Sequence, residues 1–168
     1  HLFASTLFYN YLKKNYDWDL RPSSIVWLPG VVSALNISCR AFTQPGHEIM
    51  VSTPIYPPFL EAPIYSERRL KTVPLMVNDG RYEMDFKEMA AAVTPKTKMF
   101  LQCNPQNPSG RVYTREELQQ LADFCLDNDM VICSDELHCD LVLDRDKKHI
   151  PIATLSAEIE QKTITLMA

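Results

Sequence analysis

The segment that most constrains the fold is residues 99–138, MFLQCNPQNPSGRVYTREELQQLADFCLDNDMVICSDELH. It holds two short apolar runs, KMFLQC and MVICS, on either side of one amphipathic helix. Apolar side chains occupy consecutive positions in both runs. This is the pattern of strands buried on both faces, whereas a strand with one wet face alternates. Thr114 and Glu117 have the spacing of a capping box, which starts the helix. Leu118, Leu121, Ala122 and Cys125 form its apolar stripe, and residues 127–129 end it. Two buried strands joined through a single helix make a βαβ unit, so the strands are parallel and the crossover is right-handed.

The same alternation runs through the rest of the chain. Phe3, Leu7, Phe8, Tyr11 and Leu12 recur at helical spacing and predict a helix over 2–16, closed by Lys13 and Lys14. SSIVWLPG predicts a short strand near 25–28, broken by Pro29 and Gly30, and VVSALNISCRAFT predicts a helix directly after it. HEIMVSTP gives a strand at 48–52, residues 59–67 a short helix interrupted by Pro63, and LKTVPLMV a strand over 70–77. Pro74 cannot donate to a ladder, which places that last strand at the sheet margin. Asn78, Asp79 and Gly80 supply a turn. Asp85 with Glu88 resembles a second capping box, opening a helix that ends before Pro95. Further strands are predicted at 98–103, 130–134 and 162–167. Six strands alternating with helices imply one α/β domain, a three-layer α/β/α arrangement with a mostly parallel sheet.

Composition narrows the partners. The 168 residues are 46% hydrophobic and 23% charged, as in a soluble globular protein, and the net charge of -4 gives no basic footprint for nucleic acid. No lysine or arginine run suggests an anionic membrane, and no stretch is apolar for the 18 or so residues of a membrane span. Cys39, Cys103, Cys125, Cys133 and Cys139 are odd in number and lack CxxC spacing. They read as buried free thiols of a reducing cytoplasm rather than as disulfides or a zinc site. A metal site is poorly supported too, because Asp135, Glu136, His138 and Asp140 crowd one strand end where alternate residues face opposite ways.

Ligands of open α/β sheets bind beyond the carboxyl ends of the strands. There the sequence places an amide in the loop after one strand (Asn107), an acid and a donor at the end of the next (Asp135 and His138), and an aromatic after the 48–52 strand (Tyr56). Near Val31 and Val32 it places the amino end of a helix, whose free amides can hold a phosphate. Each has an ordinary structural explanation: Tyr56 packed in a loop, Asn107 in an Asx turn before proline, Asp135 a solvated carboxylate. Together they suit a planar, phosphorylated, nitrogen-containing cofactor.

Four motifs in order, PGVVSALN, TPIYPPF, CNPQNPSGRV and SDELHCDLV, resemble the pyridoxal-phosphate enzymes of the aspartate aminotransferase fold. They are most similar to the cystathionine β-lyase branch, the bacterial C-S lyases of the MalY/PatB type. The resemblance implies that 1–168 is an incomplete large, cofactor-binding domain, without the small carboxyl-terminal domain and the amino-terminal segment. It implies pyridoxal phosphate as cofactor, with Asp135 pairing with the ring nitrogen and Asn107 bonding the phenolic oxygen and approaching the substrate carboxylate. His138 stands where many aminotransferases place a Tyr, Tyr56 stacks on the ring, and the amides of Val31 and Val32 hold the phosphate.

The lysine that forms the internal Schiff base is expected beyond Ala168, so no catalytic residue is assigned within the chain and the 168 residues alone are expected to be inactive. For the whole protein the resemblance implies a cytoplasmic homodimer that cleaves the Cβ–S bond of cystathionine and other cysteine thioethers. An aminotransferase is the alternative, and a non-catalytic regulatory or binding module that kept the fold is a second. The family sheet also carries an antiparallel strand beside the first strand, which follows that lysine.

Overall fold

The computed structural model of the protein describes residues 2–168. Its order of elements is α1 (Leu2–Tyr16), α2 (Val31–Phe42), β1 (Glu48–Thr53), α3 (Pro58–Tyr65), β2 (Arg69–Pro74), β3 (Met76–Asn78), β4 (Arg81–Glu83), α4 (Phe86–Ala92), β5 (Thr97–Cys103), α5 (Arg115–Asp127), β6 (Val131–Asp135), α6 (Ala157–Gln161) and β7 (Thr163–Leu166). Five strands form one sheet in the order β2-β1-β5-β6-β7, and every pair in it is parallel.

The sheet is covered on both faces, and β5 shows why its apolar residues need no alternation. Met99 and Leu101 pack with Ala34, Leu35 and Cys39 of α2 and with Phe59 and Ala62 of α3. Phe100, between them, packs with Met89 of α4, Leu118 and Leu121 of α5, and Ile159 of α6. Successive side chains of a strand point to opposite faces, so a strand between two helical layers must be apolar at every position. All five cysteines are buried and unpaired.

The capping boxes were legible in the sequence, one fully and one by half. Thr114 accepts from the Glu117 amide at 3.3 Å while the Glu117 carboxylate accepts from the Thr114 amide at 2.8 Å. Asp85 accepts from the amides of Lys87 and Glu88 at the start of α4. Pro74 closes β2, which is an edge strand as its proline requires.

Three expectations are corrected. Residues 25–28 form no strand: a 3-10 turn at Pro22–Ser24 precedes them, and no strand of the sheet pairs with them. Val26 is 74% exposed, and the Trp27 indole donates to Ser5 Oγ at 3.0 Å. Extended backbone becomes a strand only where a neighbour supplies its ladder, and none of the sheet's strands pairs with this segment. The run at 70–77 divides at Leu75 into β2 and β3, and β3 pairs antiparallel with β4, a strand the alternation did not reveal. Asp79 and Gly80 turn that hairpin with φ of 48° and 73°, the two positive values of a type I′ turn. Finally, α3 runs through Pro63 without interruption. The helix ends within the next turn, so the missing N–H costs it one bond.

Candidate functional site

The carboxyl edge of the sheet is built from the segments after β1, β5 and β6. The loop after β5 is closed on itself: the Gln106 amide donates to Arg111 O at 2.7 Å, and the Gly110 amide donates to Gln106 O at 2.7 Å. The Gln106 side chain donates to Pro54 O at 2.7 Å and accepts from the Ser109 amide at 2.8 Å, which ties the loop to the end of β1. The Tyr56 amide donates to Asn107 O at 3.1 Å, bringing those two predicted residues side by side. Asn107 is half-buried and Tyr56 is 43% exposed. The peptide bonds before Pro54, Pro105 and Pro108 are cis.

Arg111 holds the far side of the loop. Its guanidinium makes a two-pronged contact with Glu117, at 2.7 and 2.8 Å, donates to Tyr82 O at 2.6 Å and lies over the Tyr113 ring at 5.1 Å. Burial opposes ionisation of Glu117, but Arg111 and the Thr114 amide outweigh it and hold the carboxyl below the usual carboxylate range.

Asp135 ends β6, and its backbone oxygen accepts from the Asn104 amide at 3.0 Å. Its carboxylate is buried and accepts from the Leu137 amide at 3.0 Å. Burial pushes its pKa up and the charge of Glu136 adds to this, against the lowering effects of the Leu137 amide and of His138. The edge of the sheet therefore carries an acid whose charge is under-compensated. A bound cationic nitrogen would relieve that cost, and this is the feature that fits the protonated ring nitrogen of pyridoxal phosphate.

A helix begins at Val31, directly after Gly30. The C-terminus of α2 lies beside the start of β1, and a helix of 12 residues is about 18 Å long. Packed back along the strands, it brings Val31 and Val32 to the carboxyl edge. Gly30 is its N-cap, with φ of 110° and no side-chain cap, so the first amides of the helix are left for another acceptor.

The predicted residues do not all share one cavity. An open cleft of about 770 Å³ is lined by Asn107 and His138 together with Arg81, Arg111, Leu143 and Lys147. Asp135, Tyr56, Val31 and Val32 lie outside it. Sequence reading also missed Glu136. It is fully buried and accepts from Ser134 Oγ at 2.9 Å, from the Ile152 amide at 3.2 Å and from His149 Nε2 at 2.7 Å. The available signal was strand alternation: if Asp135 faces one layer, Glu136 faces the other, where a carboxylate needs partners. Asn104 was also passed over; its Oδ1 accepts from the Tyr113 amide at 3.1 Å. Among the described residues no cluster of His, Cys, Asp and Glu could hold a metal, and no helix is long and apolar enough to cross a membrane. The lysines at the other edge are engaged: Lys98 and Lys162 both pair with Asp129, at 3.2 and 2.9 Å.

A parallel sheet between helical layers, with an acid, an amide, a histidine and a helix amino end toward its carboxyl edge, defines an α/β class of protein. The comparisons give that class its family. The family model for aminotransferase class I and II matches residues 3–167, and the chain belongs to that family. It is 37% identical to the cystathionine beta-lyase PatB of Bacillus subtilis over 159 residues, which are 94% of this chain and 41% of that protein. The crystal structure of OvoB superposes with a TM-score of 0.94 and 38% identity, over 98% of this chain and 43% of that one. The crystal structure of cystalysin from Treponema denticola, which contains pyridoxal 5'-phosphate, superposes with a TM-score of 0.93 and 33% identity, over 98% of this chain and 42% of that one. The chain thus spans about two-fifths of the length of these relatives.

Proposed function

We propose that the protein carrying this chain is a pyridoxal-phosphate-dependent carbon–sulfur lyase acting on cystathionine or related cysteine thioethers. The observation that carries the cofactor is Asp135, a buried carboxylate at the strand edge with a raised pKa and, among the described residues, no salt bridge to a cation. Kinship to the cystathionine beta-lyase PatB favours the lyase over the aminotransferase. Bound pyridoxal phosphate supplies an electron sink for negative charge developing at the α-carbon of an amino acid.

In this reading Asp135 holds the proton on the ring nitrogen by its charge, and burial strengthens that interaction. Asn107 donates its amide to the phenolic oxygen and to the substrate carboxylate, with its backbone held by the Tyr56 amide. His138 would approach the same oxygen, Tyr56 would cover the ring, and the amides of Val31 and Val32 would donate to the phosphate at the positive end of α2. Loss of the α-proton lets the Cβ–S bond break: the sulfur leaves as a thiol, and the three-carbon remainder is hydrolysed to ammonia and pyruvate. The buried, unpaired thiols suit a reducing cytoplasm, and the exposed apolar side chains of Phe3, Leu7, Val26 and Trp27 suit burial in a homodimer.

The family's name keeps the aminotransferase as the second reading, and product analysis separates the two. Incubated with cystathionine and no oxo-acid acceptor, the intact natural protein is expected to release pyruvate and a thiol in equal amounts. Turnover that requires an oxo-acid and yields a new amino acid would replace the lyase by the aminotransferase.

A further inference from the structure

Asp135 and Glu136 are neighbours at the end of β6 that face opposite layers, and each anchors part of the following loop. The Leu137 amide donates to Asp135 Oδ1 at 3.0 Å. Glu136 uses every polar group it has: its amide donates to Leu166 O at 2.8 Å and its carbonyl accepts from the Cys139 amide at 3.0 Å. Its carboxylate receives Ser134 Oγ, the Ile152 amide and His149 Nε2. The segment from 137 to 148 is therefore closed on one residue, by the Glu136 main chain at its start and by the Glu136 carboxylate at its end, and His138 is inside it. A hydrogen bond from the Leu141 amide to His138 O, at 2.8 Å, completes the turn that carries His138. The groups facing the pair are Ser134 on β6, the Ile152 amide and, from α1, Tyr16, whose ring meets the His149 ring edge-on at 5.6 Å. His149 Nδ1 is buried without a partner, so Glu136 supplies the polar attachment of that ring.

A buried hydrogen-bonded pair stabilises little more than well-packed apolar side chains of the same volume, so stability alone does not explain this one. We propose that Glu136 and His149 are a positioning pair that sets Asp135 and His138 for the cofactor: Glu136 fixes the strand end that aims Asp135, and its bond to His149 closes the loop that carries His138. The inference rests on the cofactor reading above. It adds that the reach of two ring-facing groups is determined from the opposite face of the sheet. The charge of Glu136 also acts on Asp135 directly, and it is one of the effects that raise the Asp135 carboxyl.

The test uses the intact natural protein in three forms: unsubstituted, Glu136→Gln, and the double variant Glu136→Leu with His149→Leu. The double variant replaces the pair by apolar groups and is expected to keep the parent's urea midpoint while binding pyridoxal phosphate at least tenfold more weakly. Glu136→Gln keeps an oxygen acceptor for Ser134 and the Ile152 amide and is expected to bind within threefold of the parent. In cofactor-free protein labelled at its carboxyl carbons, Glu136→Gln is expected to move the Asp135 titration to lower pH, because the charge beside it is removed; the readout that a purely structural role would not move is weakened binding at an unchanged urea midpoint in the double variant. A folded double variant that binds pyridoxal phosphate like the parent, or an Asp135 titration that does not move, overturns the proposal. If the double variant does not fold, hydrogen exchange of the Cys139 and Leu141 amides in the unsubstituted protein decides: protection supports the closed loop, and exchange at the rate of free loops overturns it. A parent protein that binds no pyridoxal phosphate sinks the cofactor reading instead, and the Asp135 titration then reports on the pair separately.

Discussion

Glu117 joins the start of α5 to the loop that presents Asn107, and replacing it by Ala isolates how much that join contributes. Two interactions are lost together. The first is one leg of the capping box, the carboxylate that accepts from the Thr114 amide at 2.8 Å, which contributes about 1 kcal/mol. The second is the two-pronged contact with Arg111, whose side chains are 10% and 23% exposed for Arg111 and Glu117. Charged hydrogen bonds contribute roughly 1.5–3 kcal/mol each when buried, and partial exposure reduces the two together to about 2 kcal/mol. The loss is therefore about 3 kcal/mol near neutral pH. With a urea m-value of about 2 kcal/mol/M, the midpoint falls by about 1.5 M. The Glu117 carboxyl is held below its ordinary range, so its stabilisation is present above the unfolded carboxylate pKa and is lost as pH falls through the folded one. The unfolding curves of Glu117→Ala and the parent are accordingly expected to converge in acid. A loss below about 1 kcal/mol near neutral pH, or a difference that persists unchanged in acid, would refute the reasoning.

Two further outcomes follow from the same edge of the sheet. Asp135 has a raised pKa in the fold, so the folded state binds the extra proton and stability falls as pH rises through the interval between its unfolded and folded values. Cofactor-free Asp135→Asn is therefore expected to be more stable than the parent near neutral pH and to lose that advantage in acid, as urea midpoints at the two pH values would show. Gly30 stands at φ of 110° with open space where a Cβ would go, so Gly30→Ala is expected to cost about 1–3 kcal/mol through backbone strain alone, readable in the same denaturation assay.

How legible this protein is in its sequence depended on whether the deciding interaction was local. The capping residue Thr114, the edge proline Pro74 and the doubly buried run around Phe100 carry their signals within a few positions, and the fold around them follows. Residues 25–28 carry the composition of a strand, but a strand is a property of two segments, and the sheet supplies no neighbour there. The β3–β4 hairpin was hidden because three-residue strands leave no periodicity to count, although Asp79-Gly80 marked its turn. At the candidate site, Asn107, Tyr56 and Asp135 stood out in the sequence because each lies at or just after the end of a recognisable strand. Glu136 and His149 were missed because their meaning arises only when residues 13 apart in the chain meet on the far face of the sheet.

If Asp135 makes this strand edge a site for pyridoxal phosphate, its loss weakens binding of that cofactor, and equilibrium titration of the intact natural protein with pyridoxal phosphate measures the effect. Asp135→Ala is the test variant, and Asp129→Ala, at the opposite edge of the sheet, is the control. A buried carboxylate bonded to a cationic nitrogen contributes about 1.5–3 kcal/mol, so Asp135→Ala is expected to weaken binding by about 10- to 100-fold while Asp129→Ala binds like the parent. Equal affinity in all three proteins would contradict the claim.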